Sequence, residues 1–308
     1  MYTLLSFFRL LILLSMLVSG TILACSENET CIEESNWHLG IAVGIGIKTN
    51  PLVDGDDIPL VILPDIAWYG ENAYFDNGEL GYQWLNQPQF AFETFLQVDR
   101  ERAFFSFLHP ANILLTPTEG FSPSSPDSID MDSSDASVSP GIPGPEEGEI
   151  QNNQRSLSID DIGNRSWALN AGIRGHYFSS NSEWQLTFQQ DVSNVHQGQQ
   201  LGLEYSRKWL WHDFKLGLRL GTDWKSTDLL DYYYGVSEKD TKLSEFYFDG
   251  KSGWQSYLSF NAQKPIDENW LWLANIGYRK LPESLTNSPL IEQDNIRNIF
   301  LGVAYRFK

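Results

Sequence analysis

The sequence predicts an all-β fold, a transmembrane antiparallel up-and-down β-barrel of twelve strands, with ten as the alternative count. Three observations predict it. Segment after segment alternates apolar and polar residues with period two, the pattern of a strand with one apolar face. Aromatic residues gather at the segment ends, where the interfacial girdles of such a barrel lie. The chain also opens on an export signal and stops in the middle of a strand, "NIFLGVAYRFK" at 298–308.

Residues 1–24, "MYTLLSFFRLLILLSMLVSGTILA", carry one early base, Arg9, then a short apolar run and a small-residue cleavage region. They read as a secretory signal peptide rather than a retained membrane anchor. The mature chain then begins near Cys25, with 25–36 as a periplasmic segment and 37–308 as the barrel. The two cysteines, Cys25 and Cys31, sit in "CSENETC". An even count in an exported chain favours a disulfide. The rival is a lipoprotein cleavage site before Cys25, although Leu23 stands where a small residue is preferred and Cys31 would be left over. The net charge of −19 argues against nucleic acid as a partner, because nucleic-acid binding needs a basic stripe.

The segment 37–48 puts Trp37, Leu39, Ile41, Val43, Ile45 and Ile47 on one face and His38, Gly40, Ala42, Gly44, Gly46 and Lys48 on the other. Noisier alternation follows at 60–69 and 89–98. The segments 165–178, 184–192, 201–209 and 214–224 are clean, 254–262 and 270–280 less so. In the last segment only Phe300 spoils the polar face. Each is about the length that crosses a bilayer as a tilted strand. A single-chain bacterial barrel should have an even number of strands, and the segments named here fall short of the expected twelve. The missing strand is expected within 72–85 or in "ERAFFSFLHP" at 101–110. Trp37, Trp68, Tyr69, Tyr177, Trp184, Trp209, Trp211, Trp224, Trp270 and Trp272 are the expected girdle residues. A soluble sandwich also alternates, but its strands are shorter and its inner faces dry.

Register can be read from the turns. A turn over 179–182 pairs Tyr177 with Trp184 and Asn170 with Asp191. A turn over "LWHD" at 210–213 sets Trp209 opposite Phe214, Leu203 opposite Leu220, Tyr205 opposite Leu218, and Glu204 opposite Arg219, an opposite-charge pair. Short turns of this kind are expected on the periplasmic side, and long outer loops at 99–163, 225–250 and 281–295. The first outer loop, at about 111–163, is expected to be disordered. Between Thr116 and Ile162 it holds ten acids and one base, Arg155. No ordered cation-ligand spacing is present in it.

No convergent catalytic set is legible. His38 and His176 fall on lumen faces, but no H-E-x-x-H or G-x-S-x-G motif accompanies them. No metal or cofactor is implied, and the chain is expected not to be an enzyme. The polar face carries a mixed charge inventory instead. Its bases are Lys48, Arg174, Lys208, Lys215, Arg219, Arg279 and Arg306; its acids are Asp65, Glu93, Asp191, Glu204 and Asp223. Such a set lines a narrow pore or cross-links into a closed lumen. The ending, with Gly302, Tyr305 and Phe307, resembles the C-terminal signature by which outer-membrane barrels engage the barrel assembly machinery. The trailing Lys308 departs from the usual terminal aromatic.

Four stretches, "NPLVDGDDIPLVILPDIAWYG" at 50–70, "YFDNGELGYQWL" at 74–85, "DYYYGVSEKD" at 231–240 and "LGVAYRF" at 301–307, resemble the MipA/OmpV family. The resemblance covers nearly the whole mature chain outside the acidic insertion at 117–160. It implies an outer-membrane β-barrel in contact with outer-membrane lipid. The family name also implies a periplasmic murein hydrolase or synthase complex as partner, hence a scaffold linked to peptidoglycan remodelling or envelope stress. A porin-like small-solute channel is the alternative. No catalytic residue is transferred by the resemblance. The Asp231–Gly235 stretch is expected to form a turn packed back on the barrel rim, with its tyrosines at the membrane interface.

Overall fold

The structure is a computed structural model that describes residues 36–114, 157, 159 and 162–307. The expected signal peptide, Cys25 and Cys31, and most of the acidic loop lie outside the described residues.

The strands are β1 (Trp37–Lys48), β2 (Ile58–Pro59), β3 (Ile62–Tyr69), β4 (Ala73–Asp76), β5 (Glu79–Asn86), β6 (Phe90–Val98), β7 (Leu169–Ser179), β8 (Ser182–Asp191), β9 (Gln199–Trp211), β10 (Phe214–Lys225), β11 (Gly253–Pro265), β12 (Trp270–Lys280) and β13 (Asn295–Phe307). Neighbours pair antiparallel in sequence order, and β13 pairs with β1 to close the sheet. The two-residue β2 continues the line of β3 along the far end of β1, pairing with Ile47 and Lys48. The wall is therefore a closed ring of twelve strands. Both ends of the described chain lie at one rim, the terminus end, together with the short turns. The long connections lie at the other, the loop end.

The region 72–85 holds two strands, β4 and all but the last residue of β5, whereas 101–110 holds none. Alternation is hard to see there because β4 is four residues long and its turn cuts the pattern. That turn is Asn77–Gly78, with φ of 47° and 95°, the left-handed region that Asn and Gly enter readily. The tip also completes the ladder of β3. Asn77 N–H donates to the Ile66 carbonyl, and Ile66 N–H donates to Asn77 Oδ1 at 2.9 Å. Two residues before Ile66 in β3 stands Pro64, which has no N–H to leave unpaired where β4 has stopped.

The β7–β8 register is the expected one, Tyr177 facing Trp184 and Asn170 facing Asp191. The β9–β10 register differs by two residues. Trp211, not Trp209, faces Phe214, across a two-residue turn with His212 at φ 54°. Leu203 faces Thr222, Tyr205 faces Leu220, and Glu204 faces Gly221. Two-residue hairpin turns match the twist of the strands they join, which explains the tighter turn. A slip of two leaves every side chain on its own face. Arg219 Nε consequently still reaches Glu204 Oε1 at 3.1 Å, diagonally.

The outward face carries Val43, Ile45, Ile173, Leu186, Leu203, Leu220, Leu258, Ile276 and Leu301, with Ile45 85% exposed. Around the terminus end runs an aromatic belt in contact pairs: Trp37–Phe75, Phe90–Tyr177, Trp184–Tyr205, Trp211–Phe214, Phe214–Trp272 and Trp270–Tyr305. Trp224 pairs with Trp254 near the loop end. Aliphatic side chains between aromatic belts are what a lipid-facing wall requires. Tyr69 is a correction. It shares the inward face of β3 with Asp65, and its hydroxyl donates to Asp76 Oδ2 at 2.8 Å.

The odd Phe300 has its reason inside. It is 3% exposed and belongs to an apolar lumen cluster with Ala42, Leu60, Leu63, Leu271, Leu273 and Ala304. Its ring lies over Gly44 and Gly302, which face each other across the closing seam. A Cβ on Gly302 would stand 2.5 Å from the Val43 carbonyl oxygen and 2.9 Å from the Phe300 ring. Gly302→Val is therefore expected to destabilise the barrel by at least about 1–3 kcal/mol, read as a lowered urea midpoint in micelles. Gly175→Ala, where a Cβ would meet nothing within 4 Å, should leave the midpoint near wild type. Equal shifts for the two would contradict the seam argument.

Candidate functional site

The loop end is covered by a lid. Its core holds Leu52 from the β1–β2 connection and Phe104 and Leu157 from the β6–β7 connection. Leu229, Leu230, Tyr233, Tyr234 and Val236 come from β10–β11, and Leu285 and Leu290 from β12–β13. In the twelve-strand ring, the first three of these connections rise a third of the circumference apart. Side chains from such origins share one buried core only by meeting across the mouth. The lid thus lies over the lumen.

The "DYYYG" stretch forms the centre of the lid. It lies in a helix, Thr227–Tyr234, capped by Ser226 Oγ, rather than in a turn. Tyr233 and Tyr234 are fully buried in the lid core, not at the lipid interface. Asp231 Oδ1 accepts from Gly250 N–H at 2.7 Å, and a side chain at Gly250 would collide with the Asp231 backbone at 2.6 Å. Asn50 Nδ2 donates to the Phe104 carbonyl at 3.0 Å, Ser288 Oγ to the Tyr234 carbonyl at 2.8 Å, and Arg165 Nη2 to the Gly235 carbonyl at 3.0 Å. Asp99 is bonded by Asn170 Nδ2 at 2.7 Å and lies 3.4 Å from His196 Nε2. Burial works against its charge, yet these hydrogen bonds hold its carboxyl below the ordinary value.

A continuous polar chain ties the lumen to the lid. Arg219 meets Glu204 at 3.1 Å, and Glu204 Oε2 accepts from the Tyr257 hydroxyl at 2.6 Å. The Arg279 guanidinium sits 4.8 Å from the Tyr257 ring centre and 3.5 Å from Asp223. Gln255 Nε2 donates to Asp223 at 3.2 Å, and Lys225 Nζ donates to Gln255 at 3.0 Å. Lys225 also pairs with Glu101 in the lid, whose other oxygen accepts from Tyr234 at 2.5 Å. Each group in this chain has a counter-charge or a hydrogen-bond partner, the condition for burying it.

A second network spans β5 to β8. Arg174 forks onto Glu79 at 2.7 and 2.8 Å and reaches Glu93 at 2.6 Å. His176 lies between Glu93, at 3.4 Å, and Glu183, at 2.6 Å. Of the residues expected from the sequence, the structure brings Arg174, Glu204, Arg219, Asp223 and Arg279 into these networks. Lys208 and Lys215 share the inward face of β9 and β10 with them, and Arg306 sits within the field of Asp65. Gly302 is in the seam, and Tyr305 and Phe307 are in the aromatic belt, their rings 5.0 Å apart. Lys225, Glu101 and Glu79 were not singled out from the sequence. Lys225 continues the inward parity of Arg219 and Asp223 and was legible on that ground. Glu101 was not, since only the folded lid brings it beneath Tyr234.

His109 gives the lid a pH dependence. Its Nδ1 caps the helix Pro110–Ile113 by accepting from Ala111 N–H at 3.1 Å, and its ring stacks on Trp167 at 5.0 Å. Burial pushes the imidazole down to about 4. The unfolded segment takes up a proton below about pH 6.5 while the folded one stays neutral. Stability is thus full above about pH 6.5 and falls as the pH drops toward 4, by about 3 kcal/mol at most. Proteolysis of the lid loops should accelerate over that range. His109→Asn, which keeps a capping oxygen, should flatten the profile; an unchanged slope would contradict the assignment.

The sequence profile of the family described as MltA-interacting protein MipA matches residues 39–307, from β1 to the end of β13. Outer membrane protein Omp26La of Vibrio anguillarum is 24% identical over 155 residues, 49% of this chain and 58% of that protein. The MltA-interacting protein of Escherichia coli (strain K12) is 27% identical over 111 residues, 34% of this chain and 45% of that protein. The chain spans about half the length of these curated relatives. Among solved structures, a NanC porin superposes with a TM-score of 0.40 and 7% identity, over 87% of this chain and 100% of that one. With a family match over almost the whole barrel and relatives named for the outer membrane, this chain is an outer-membrane β-barrel that belongs to the MltA-interacting protein MipA family.

Proposed function

We propose that the chain is a non-enzymatic barrel, closed to solute flow, that serves as an interaction scaffold for the peptidoglycan-remodelling machinery. The observation that carries the closed reading is the lid core, built by loops that rise a third of the ring apart and meet over the mouth. The apolar cluster around Phe300 and the paired charges beneath the lid support it. The partner class rests on the name of the family and of its Escherichia coli member.

Short turns of such barrels face the periplasm. By that rule the surface offered to a murein enzyme is the terminus end, with the turns Ser180–Asn181, His212–Asp213 and Ile266–Asn269. The final strand, with Gly302, Tyr305 and Phe307, is the part offered to the barrel assembly machinery.

Conductance of the refolded chain in a planar bilayer tests the closed state: insertion without a steady open level is expected. A steady, voltage-tolerant open level would replace this reading with a narrow channel through the charged lumen, and Arg219→Ala would then change its ion selectivity. The scaffold is tested separately by passing a purified MltA-type murein transglycosylase over the immobilised barrel. Saturable capture is expected, and its absence removes the scaffold while leaving the closed barrel intact.

A further inference from the structure

The wall of the barrel has a notch toward the loop end, above the tip of the β4–β5 hairpin. β4 pairs with β3 only from Ala67 to Tyr69, and the Asn77 tip extends that ladder to Ile66. Nearer the loop end, among the described residues, no strand pairs with that edge of β3. Backbone groups alternate between the two edges of a strand, so Pro64 and Ile62 turn toward the gap as Ile66 does. Pro64 removes one donor, but the Ile62 N–H and both carbonyls remain. Hydrocarbon cannot satisfy an open edge of this kind.

The gap is filled by Phe107–Leu114, from the β6–β7 connection that also sends Phe104 into the lid core. Its helix, Pro110–Ile113, packs beside β3. The helix also stands on the hairpin tip, where a Cβ on Gly78 would lie 3.5 Å from the Pro110 side chain and 4.0 Å from Leu114 Cδ1. On the far side the His109 ring stacks on Trp167, two residues before the outward Leu169 that opens β7.

This segment suits a lipid environment. Pro110 has no N–H to satisfy. Ala111 donates to His109 Nδ1, Asn112 and Ile113 to the His109 carbonyl, and Leu114 to the Pro110 carbonyl. Its two polar side chains, His109 and Asn112, are buried, and Asn112 Nδ2 donates to the Ala103 and Ser106 carbonyls. Phe107 and Leu108, by contrast, are 55% and 72% exposed, and no residue from 107 to 114 carries a full charge at neutral pH. The β10–β11 connection differs, exposing the ion pair Glu238–Lys242.

We propose that Phe107–Leu114 completes the lipid-facing wall. Its apolar side chains occupy the hydrocarbon of the outer leaflet, continue the outward surface of Ile62 and Leu169, and shield the free edge of β3. The lid is then held by the membrane as well as by its contacts with the lumen. This surface stands whether or not the barrel conducts or holds a murein enzyme.

Labelling of the unmodified chain, refolded into phosphatidylcholine vesicles, tests the proposal from both phases. A lipid-soluble diazirine photolysed in the bilayer, read residue by residue by mass spectrometry, should label Leu108 as heavily as the lipid-facing Leu258. Leu243, in the β10–β11 connection and about as exposed as Leu258, should take up severalfold less. Hydroxyl radicals generated in the water should give the reverse order, with Leu243 oxidised severalfold faster than Leu108. Leu108 labelled no more than Leu243 from the lipid, or oxidised as fast as Leu243 from the water, overturns the proposal.

Discussion

Hydrocarbon offers no hydrogen-bond partner to a backbone, so a sheet that crosses it must close on itself. Everything else in this chain follows from the pairing of β13 with β1. Ten residue pairs from Leu39–Phe307 to Lys48–Asn298 complete the ring. The seam is built for close approach: Gly44 faces Gly302, and the Phe300 ring covers both from the inside. Closure fixes the two faces of every strand, and with them the aliphatic exterior, its aromatic borders and the polar interior.

A closed ring of twelve strands encloses more space than its own wall can fill, and two devices occupy it. On the side of β12, β13, β1 and β3 the interior holds an apolar cluster centred on Phe300. On the other side charged groups are satisfied pairwise and in chains, from Arg174 with Glu79 and Glu93 to Lys225 with Glu101. Lys225 and Glu101 join wall to lid with little solvent on either side chain. Removing one partner of such a pair strands the other in a poor solvent, which makes the lid's position specific as well as stable. The lid has its own core of leucines and tyrosines, so the mouth is covered by packed structure rather than by loose connections.

The exterior was legible because lipid asks only for alternation, and alternation is a local property. The segments 37–48 and 270–280 coincide with β1 and β12 residue for residue. The turn after Ser179 was legible for the same reason, two independent faces agreeing in one register. The turn after Trp211 was misplaced by two residues because such a slip costs no change of face. Alternation cannot detect it, and only the twist of the hairpin selects the tighter form. The short β4 escaped because four residues are too few to show a period.

The sequence by itself determined the barrel, the inward and outward faces of its strands apart from Tyr69, and the location of the three long loops at 99–163, 225–250 and 281–295, since each is written in a period of two and in the spacing of turns. Phe300, Glu101 and the Tyr233–Tyr234 pair could not be placed from it. Their surroundings come from residues far away in the chain, Leu271 and Gly44 for Phe300, Lys225 and Tyr234 for Glu101. Whether the lumen is open or covered was likewise undecided by composition. It is decided by long-range contacts between loops that the ring holds a third of a turn apart, and no local pattern records those contacts.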